Sequence, residues 1–438
     1  MAGQTPARVL MVAYFFPPLG GAGVQRSLKL AKYLPEQGWE PTVVTVRSQD
    51  YWMADASLAE EMRGRVRVLR TRSVTGLSLA RRLSPREAGA PGRPRPSGGR
   101  FGLLRRAAGW FWLPDAYRGW VPFARYASGR LLARQRHQLI YTTSSPDSAH
   151  LIGRDLMRRF GVPWVADFRD PWTRRMSYNP PTAWHDRRHR RLEEAVLREA
   201  SHITVTAEAT RRDYLQRYPQ IPPEKISVVT NGYDEEDFAG QPDAALSSDR
   251  LTILHAGQLN PERRALPMLR ALRRFLQRRP EASSRVRVRF VGAFYQHDLD
   301  DAARLDLGDQ VSFEPPRAHR EIIRELLSSH VLLLMEQESD RGGLILPGKV
   351  FEYLRSGRPI LGLLPRGAAW DLIAQHEAGA CCRTGDTEAA ADLLERYFDE
   401  FVSTGQVAPT RLSEATLAQY ERRQLTARMA AIFDRLRG

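Results

Sequence analysis

Lysine is almost missing from this chain of 438 residues: Lys29, Lys32, Lys225 and Lys349 are the only four among 66 basic residues, the rest being arginine. Such a skew reflects coding bias as readily as selection for anion binding, so the net charge of +16 selects no partner by itself. Cysteine is as scarce. Cys381 and Cys382 are adjacent, cannot staple distant segments and lack zinc-site spacing, which leaves a reducing, cytoplasmic setting as the simplest expectation. No apolar run approaches the roughly 20 residues that span a bilayer. Met1–Arg8 is polar and leads straight into a strand, so no signal peptide is expected.

What the chain does have is a long alternation of short β-rich runs and amphipathic stretches, the pattern of parallel α/β sheets. Its length suits two domains of roughly 100 to 250 residues each. Strands are expected at Val9–Ala13, Thr42–Val46, Val66–Leu69, Leu139–Thr142, Pro163–Phe168, His202–Thr206 and Ile226–Thr230. A second series follows at Leu251–His255, Val286–Val291, Val311–Phe313, Val331–Met335, Pro359–Leu364 and Ala380–Arg383. Between the two, Asn231–Arg250 is polar and aperiodic. The organisation expected is an N-terminal domain at 1–235, a linker at 236–250 and a C-terminal domain at 251–438. The closing helical segment, from about Ser413 to Leu436, is free to pack back on the first domain.

The alternation breaks once. Ser84–Arg100 is rich in proline, glycine and arginine and reads as a mobile loop, and 101–132 reads as short helices dense in aromatics. Between Arg81 and Arg136 there are thirteen arginines against Glu87 and Asp115. Arg105, Arg106, Trp110, Phe111 and Trp112 make this insert, about 73–132, a candidate for docking on an anionic membrane surface. The alternative is that the rings pack into the core and only the arginines are solvated. No nucleic-acid-binding motif accompanies the charge, and no nucleic acid partner is expected.

Four loops carry chemistry. Pro17-Pro18-Leu19-Gly20-Gly21-Ala22-Gly23 joins a strand to a helix, where glycines let a phosphate approach the helix N-terminus. Ala166-Asp167-Phe168-Arg169-Asp170-Pro171-Trp172 leaves a buried strand at its carboxyl end, where ligands gather in open α/β sheets. Asp167 or Asp170 could serve there as a general base, or an Asp–Arg pair could simply order the loop. His255–Arg264 offers a glycine turn and paired arginines ahead of a helix, a plausible diphosphate clamp. Most specific is Pro347-Gly348-Lys349-Val350-Phe351-Glu352: Lys349 and Glu352 share one helix face, the lysine suited to a phosphate and the carboxylate to two ribose hydroxyls.

Taken in order, YFFPPLGGAGVQRSLKLAKYLPEQGWEPTVVT, SSPDSAHLIG, VPWVADFRDPW, VVTNGYD, HAGQLNPERR and PGKVFEYLRSGRPIL resemble family 4 of the GT-B glycosyltransferases, over nearly the whole chain apart from about Ser73–Leu132. The resemblance implies an α/β fold of two Rossmann-like domains with parallel sheets facing across a cleft. It implies transfer of a sugar from a UDP- or GDP-sugar to a glycan or lipid-linked acceptor, in cell-surface polysaccharide or glycolipid synthesis; docking through the basic aromatic insert would place the chain on the inner membrane face. Gly20 and Gly21 would line the donor side, and Gln258 and Arg264 stand where the family often has an arginine and a lysine on the diphosphate. Glu352 matches the second glutamate of the family's E-x7-E motif, whose first falls on Leu344, and Lys349 would take a phosphate contact. Arg169 stands about where many relatives have a histidine, and with Trp172 would meet the acceptor or order the loop. Fixed cations and helix N-termini would stabilise the leaving diphosphate, with no tightly bound metal or other cofactor expected. A non-catalytic relative or a sugar-nucleotide epimerase is the alternative that the non-acidic Leu344 keeps open.

Overall fold

The computed structural model of the chain describes residues 6–47, 56–62, 64–74, 110, 112–241, 246, 249–260, 263–339 and 341–437. They fall into two units. One runs from the start of the described chain to Asn231 and takes in the terminal segment from Glu421; the other is Gly232–Tyr420.

The first unit is built on seven parallel strands: β1 (Ala7–Val12), β2 (Trp39–Val46), β3 (Arg67–Thr71), β4 (Leu139–Ser144), β5 (Trp164–Phe168), β6 (His202–Val205) and β7 (Ile226–Val228). Their order is β3-β2-β1-β4-β5-β6-β7. The chain therefore reverses its winding between β1 and β4, and the loops after those two strands open on the same switch point, where doubly wound sheets bind ligands. Helices cover both faces of the central strands, so every residue of β4 and β5 is buried, the polar Thr142, Thr143, Ser144 and Asp167 included. The first crossover helix, Ala22–Tyr33, begins behind Gly21, whose φ of 96° is a conformation that favours glycine.

The second unit repeats the plan with six parallel strands: β8 (Leu251–Ala256), β9 (Val286–Val291), β10 (Val311–Glu314), β11 (Val331–Met335), β12 (Ile360–Leu363) and β13 (Gly379–Cys382). The order β10-β9-β8-β11-β12-β13 puts its switch point between β8 and β11. Each unit is thus a Rossmann-like parallel sheet flanked by helices.

Three local readings change. The aromatic stretch before β4 contains one continuous helix, Val121–Arg134, started by Pro122 in its first turn, where a missing N–H costs nothing. The segment read as a linker opens with an ordered helix, Glu235–Phe238, capped by Asp234 and held in the second unit by the Arg355–Glu235 ion pair. The closing helical segment is two helices, Glu414–Ala418 and Arg422–Leu436. The second lies on the first unit: Phe433 packs edge-on against Trp39 with ring centroids 5.4 Å apart, and the Trp39 indole N–H donates to Asp434 at 3.1 Å. The Ser84–Arg100 loop lies outside the described residues.

Candidate functional site

In the second unit the candidate residues gather at the β8–β11 switch point. The helix Lys349–Ser356 starts at Gly348 and stops at Gly357, which takes the left-handed conformation with φ 69°. Val350, Phe351, Tyr353 and Leu354 anchor its inner side. The Lys349 ammonium donates to the Ala256 carbonyl at the end of β8, 2.8 Å away, and the Ala256 N–H donates to the Tyr353 hydroxyl at 3.3 Å. The N–H and the carbonyl of Ala256 are therefore both tied to one helix. Gly257 follows with φ 136°, which L side chains rarely adopt, and a Cβ there would lie 2.6 Å from the Lys349 nitrogen and displace the amine.

Lys349 is kept short of its usual charge. Burial and the nearby Arg263 guanidinium push its pKa down to about 7, against the smaller pull of Glu336 and Glu352. A group so placed takes up a proton when an anion arrives. Arg263 reaches Glu336, the residue that follows β11, in a close ion pair. Glu352, one turn beyond Lys349, stands 3.6 Å from the His319 ring nitrogen, which is itself 3.2 Å from Asp237. Two cations at the carboxyl end of β8, with a carboxylate a helical turn away, can hold a diphosphate and a diol.

Some expected contacts fall elsewhere. Arg264 pairs with Asp301, so the guanidinium beside Lys349 is its neighbour Arg263. Gln258 is half-buried in the loop after β8. Glu336, His319 and Asp237 escaped the sequence reading. A lone acid directly after the apolar run of β11 was the signal for Glu336, whereas His319 and Asp237 carry no local signature. The chain's one Asp-x-Asp triplet, Asp298-Leu299-Asp300, is not free to hold a metal: Asp298 is wholly buried and accepts the Ala265 and Tyr295 N–H groups.

In the first unit Asp167 corrects an expectation. It is wholly buried. Its two oxygens receive five hydrogen bonds, two from Arg26 and one each from Tyr141, Thr143 and Thr204. Although burial opposes ionisation, Arg26 and these hydroxyls hold the carboxyl well below the usual carboxylate range. A carboxylate so saturated has no lone pair for a substrate proton, and Asp167 is a structural counter-ion. Trp172 is likewise core: its indole meets His189 at 3.1 Å and it touches no open surface. Arg169 has its guanidinium spread over the carbonyls of Gly23, Ser144 and Ser145, and so ties the first turn of the first crossover helix to the end of β4 and the loop that follows it.

Asp170 differs from both. It is half-buried at the carboxyl end of β5 and makes no hydrogen bond or ion pair among the described residues. Nearby, the loop after β4 carries a second carboxylate, Asp147, paired with Arg175. Burial, with Asp115 and Glu193 close by, pushes the Asp147 carboxyl up to about 7 despite the arginine. Gly20 is buried and Gly21 half-buried at the start of the first helix. Of the proposed docking residues, Trp110 is 53% exposed and Trp112 half-buried, whereas Arg105, Arg106 and Phe111 lie outside the described residues.

Residues 20–232 match the glycosyl transferase 4-like domain family, and residues 250–400 match the glycosyl transferases group 1 family. The chain belongs to the GT-B, family 4-like glycosyltransferases. It is 29% identical over 227 residues to the D-inositol 3-phosphate glycosyltransferase of Streptomyces scabiei, an alignment covering 47% of this chain and 50% of that one. The chain spans about half the length, or less, of the curated relatives it matches. Among solved structures, sucrose-phosphate synthase from Thermosynechococcus elongatus superposes with a TM-score of 0.64 at 14% identity, over 98% of this chain and 99% of that one. Anabaena HepE in complex with UDP gives 0.59 at 14% identity, over 98% and 100%. At such identities these two structures speak for the fold alone. Among the described residues, no helix of this glycosyltransferase-family chain is long and apolar enough to cross a membrane.

Proposed function

We propose that this chain transfers a sugar from a nucleoside-diphosphate sugar, UDP- or GDP-linked, to a glycan or lipid-linked acceptor, in the synthesis of cell-surface polysaccharide or glycolipid on the inner face of the membrane. The observation that carries the reading is the Lys349 amine at the carboxyl end of β8, beside Gly257 and Arg263, with Glu352 one turn on. Lys349 and Arg263 meet the diphosphate and offset the charge that develops as it leaves; fixed cations do this without reorganising. Glu352 accepts the two ribose hydroxyls, and Gln258 lines the same loop. Gly20 and Gly21, ahead of the first helix, carry no side chain to keep the donor's charge from that helix's N-terminus. Asp170 meets the acceptor hydroxyl, while Asp167 and Arg169 hold its loop. The UDP bound to HepE and the glycosyl transfer named for the Streptomyces relative both fit this reading.

Calorimetric titration with UDP, GDP and their sugars, followed by donor hydrolysis with the tightest binder, tests it. One nucleotide should bind selectively and Lys349→Ala should abolish that binding. Failure of every nucleoside diphosphate to bind overturns the proposal. Selective binding with no hydrolysis or transfer favours a non-catalytic relative, the reading that Leu344 supports where the family carries a glutamate.

A further inference from the structure

The helix Ala183–Glu199 of the first unit presents two unlike faces. His185, His189, Glu193, Val196 and Leu197 are buried. Trp184, Arg187, Arg188, Arg191 and Arg198 are exposed and recur at the three- and four-residue spacing that puts side chains on one side of a helix. The outer face is thus a row of arginines that begins with a tryptophan 56% exposed. The acid nearest its start, Asp186, is already held by Arg190 and the Tyr178 hydroxyl.

Arginine is common here, so exposure alone would mean little. Pairing separates this face from the arginine-rich helix of the second unit. On the helix Leu266–Arg278 and just beyond it, Arg274, Arg278 and Arg279 meet Glu388, Asp392, Glu395 and Asp399. Arg187, Arg188 and Arg191 have no acidic partner among the described residues. A second ring completes the face. Trp110, 53% exposed, lies edge-on to His185 with centroids 5.3 Å apart, and its carbonyl stands 3.2 Å from the His185 ring nitrogen; Trp184 flanks the same imidazole at 4.9 Å. Two exposed indoles therefore stand on one histidine, at the head of a basic row whose first three arginines carry no ion pair among the described residues.

We infer that this face is a docking surface for an anionic lipid bilayer. Indole rings partition to headgroup depth and guanidinium groups meet anionic lipid, and few other partners reward both on one surface. The placement suits the chemistry: in a parallel sheet the helix after a strand starts at that strand's carboxyl end, so Trp184 stands on the edge of the sheet where Asp170 emerges from β5. A bilayer held there presents a lipid-linked hydroxyl to that edge. The inference rests on the lipid-linked acceptor in the proposed function, yet its test is independent of transfer.

Full-length protein is sedimented with vesicles of phosphatidylcholine alone and of equal parts phosphatidylcholine and phosphatidylglycerol. Binding should require the anionic lipid, and indole fluorescence should shift to the blue in wild type and much less in Trp184→Ala. Each arginine replaced by glutamine at 187, 188 and 191 should weaken binding about fivefold, roughly a hundredfold for the three together. Because the whole chain is basic, the control replaces Arg320, Arg411 and Arg428, exposed elsewhere, and should change binding only a few-fold. Equal loss in control and test variants, equal binding to neutral vesicles, or tight binding to duplex DNA with none to vesicles overturns the inference. Nucleotide binding measured on the same variants should stay at the wild-type level. If wild type docks on vesicles but binds no nucleotide, the proposed function fails and the docking surface stands.

Discussion

Arg26 and Asp167, 141 residues apart in sequence, meet as a two-pronged buried ion pair with N–O distances of 2.7 and 2.9 Å. Arg26 also donates to the carbonyls of Val229 and Thr230, so one guanidinium joins the first crossover helix, β5 and the end of the first unit's chain. Removing one partner leaves a buried charge uncompensated. Asp167→Asn should therefore cost roughly 3–5 kcal/mol of stability in urea unfolding. A loss of turnover with unchanged stability would return Asp167 to the catalytic role denied to it here.

Asp170→Asn should behave in the opposite way. Its carboxylate is half-buried and makes no hydrogen bond or close ion pair among the described residues, only a longer-range attraction to Arg169 and Arg175, so stability should change by no more than about 1 kcal/mol. Transfer should fall by about 100-fold or more with donor affinity unchanged, if the carboxylate takes the acceptor's proton. Single-turnover kinetics beside nucleotide titration separate the two.

Lys349 gives a pH signature. Its pKa of about 7 in the free protein means that the amine is largely neutral at higher pH. A diphosphate binds the protonated form better, so its Kd should rise as pH climbs above about 7, approaching tenfold per unit until the pKa of the complex is reached. Calorimetry in buffers of different ionisation enthalpy should show proton uptake on binding near pH 8. Lys349→Arg, charged throughout, should lose that dependence.

Glu352→Ala removes two charge-assisted hydrogen bonds to the ribose, each worth about 1.5–3 kcal/mol at most. Nucleotide affinity should fall at least tenfold, and the same variant should discriminate less between ribose and 2′-deoxyribose nucleotides. Equal discrimination in wild type and variant would move the ribose contact to another residue.

Asp147 supplies a fifth test. Its folded pKa of about 7 lies above the ordinary 3.8, so between pH 4 and 7 the folded chain holds a proton that the unfolded chain has released. Wild type should lose stability relative to Asp147→Asn across that window, by about 1 kcal/mol per pH unit, and the gap should level off above pH 7. Urea unfolding of both proteins across the range measures it.

The sheets were legible and the ion pairs were not. All thirteen strands stand where β-rich runs alternate with amphipathic ones, with ends shifted by a few residues at most, because a parallel sheet flanked by helices draws on short runs rich in β-branched and apolar residues. Lys349 and Glu352 were legible for a local reason, since a helix fixes what three residues of spacing mean. The match of Asp167 to Arg26, or of Arg263 rather than Arg264 to the neighbourhood of Lys349, depends on which distant element lies opposite. No local period encodes that. The outer row of the helix Ala183–Glu199 went unread because arginine is everywhere in this chain; only the two exposed indoles that flank His185 make it distinctive.

The helix Arg422–Leu436 completes the core of a unit whose other strands and helices end near Asn231. No single cut can therefore release either half intact. Expression of 1–231 alone would bare Trp39 and Tyr141 where Phe433 had covered them, and an aggregating product would say nothing about that half's own fold. Dissection calls for a circular rearrangement, the last eighteen residues spliced ahead of the first strand or behind the seventh, and a C-terminal fusion tag sits on the first half rather than the second.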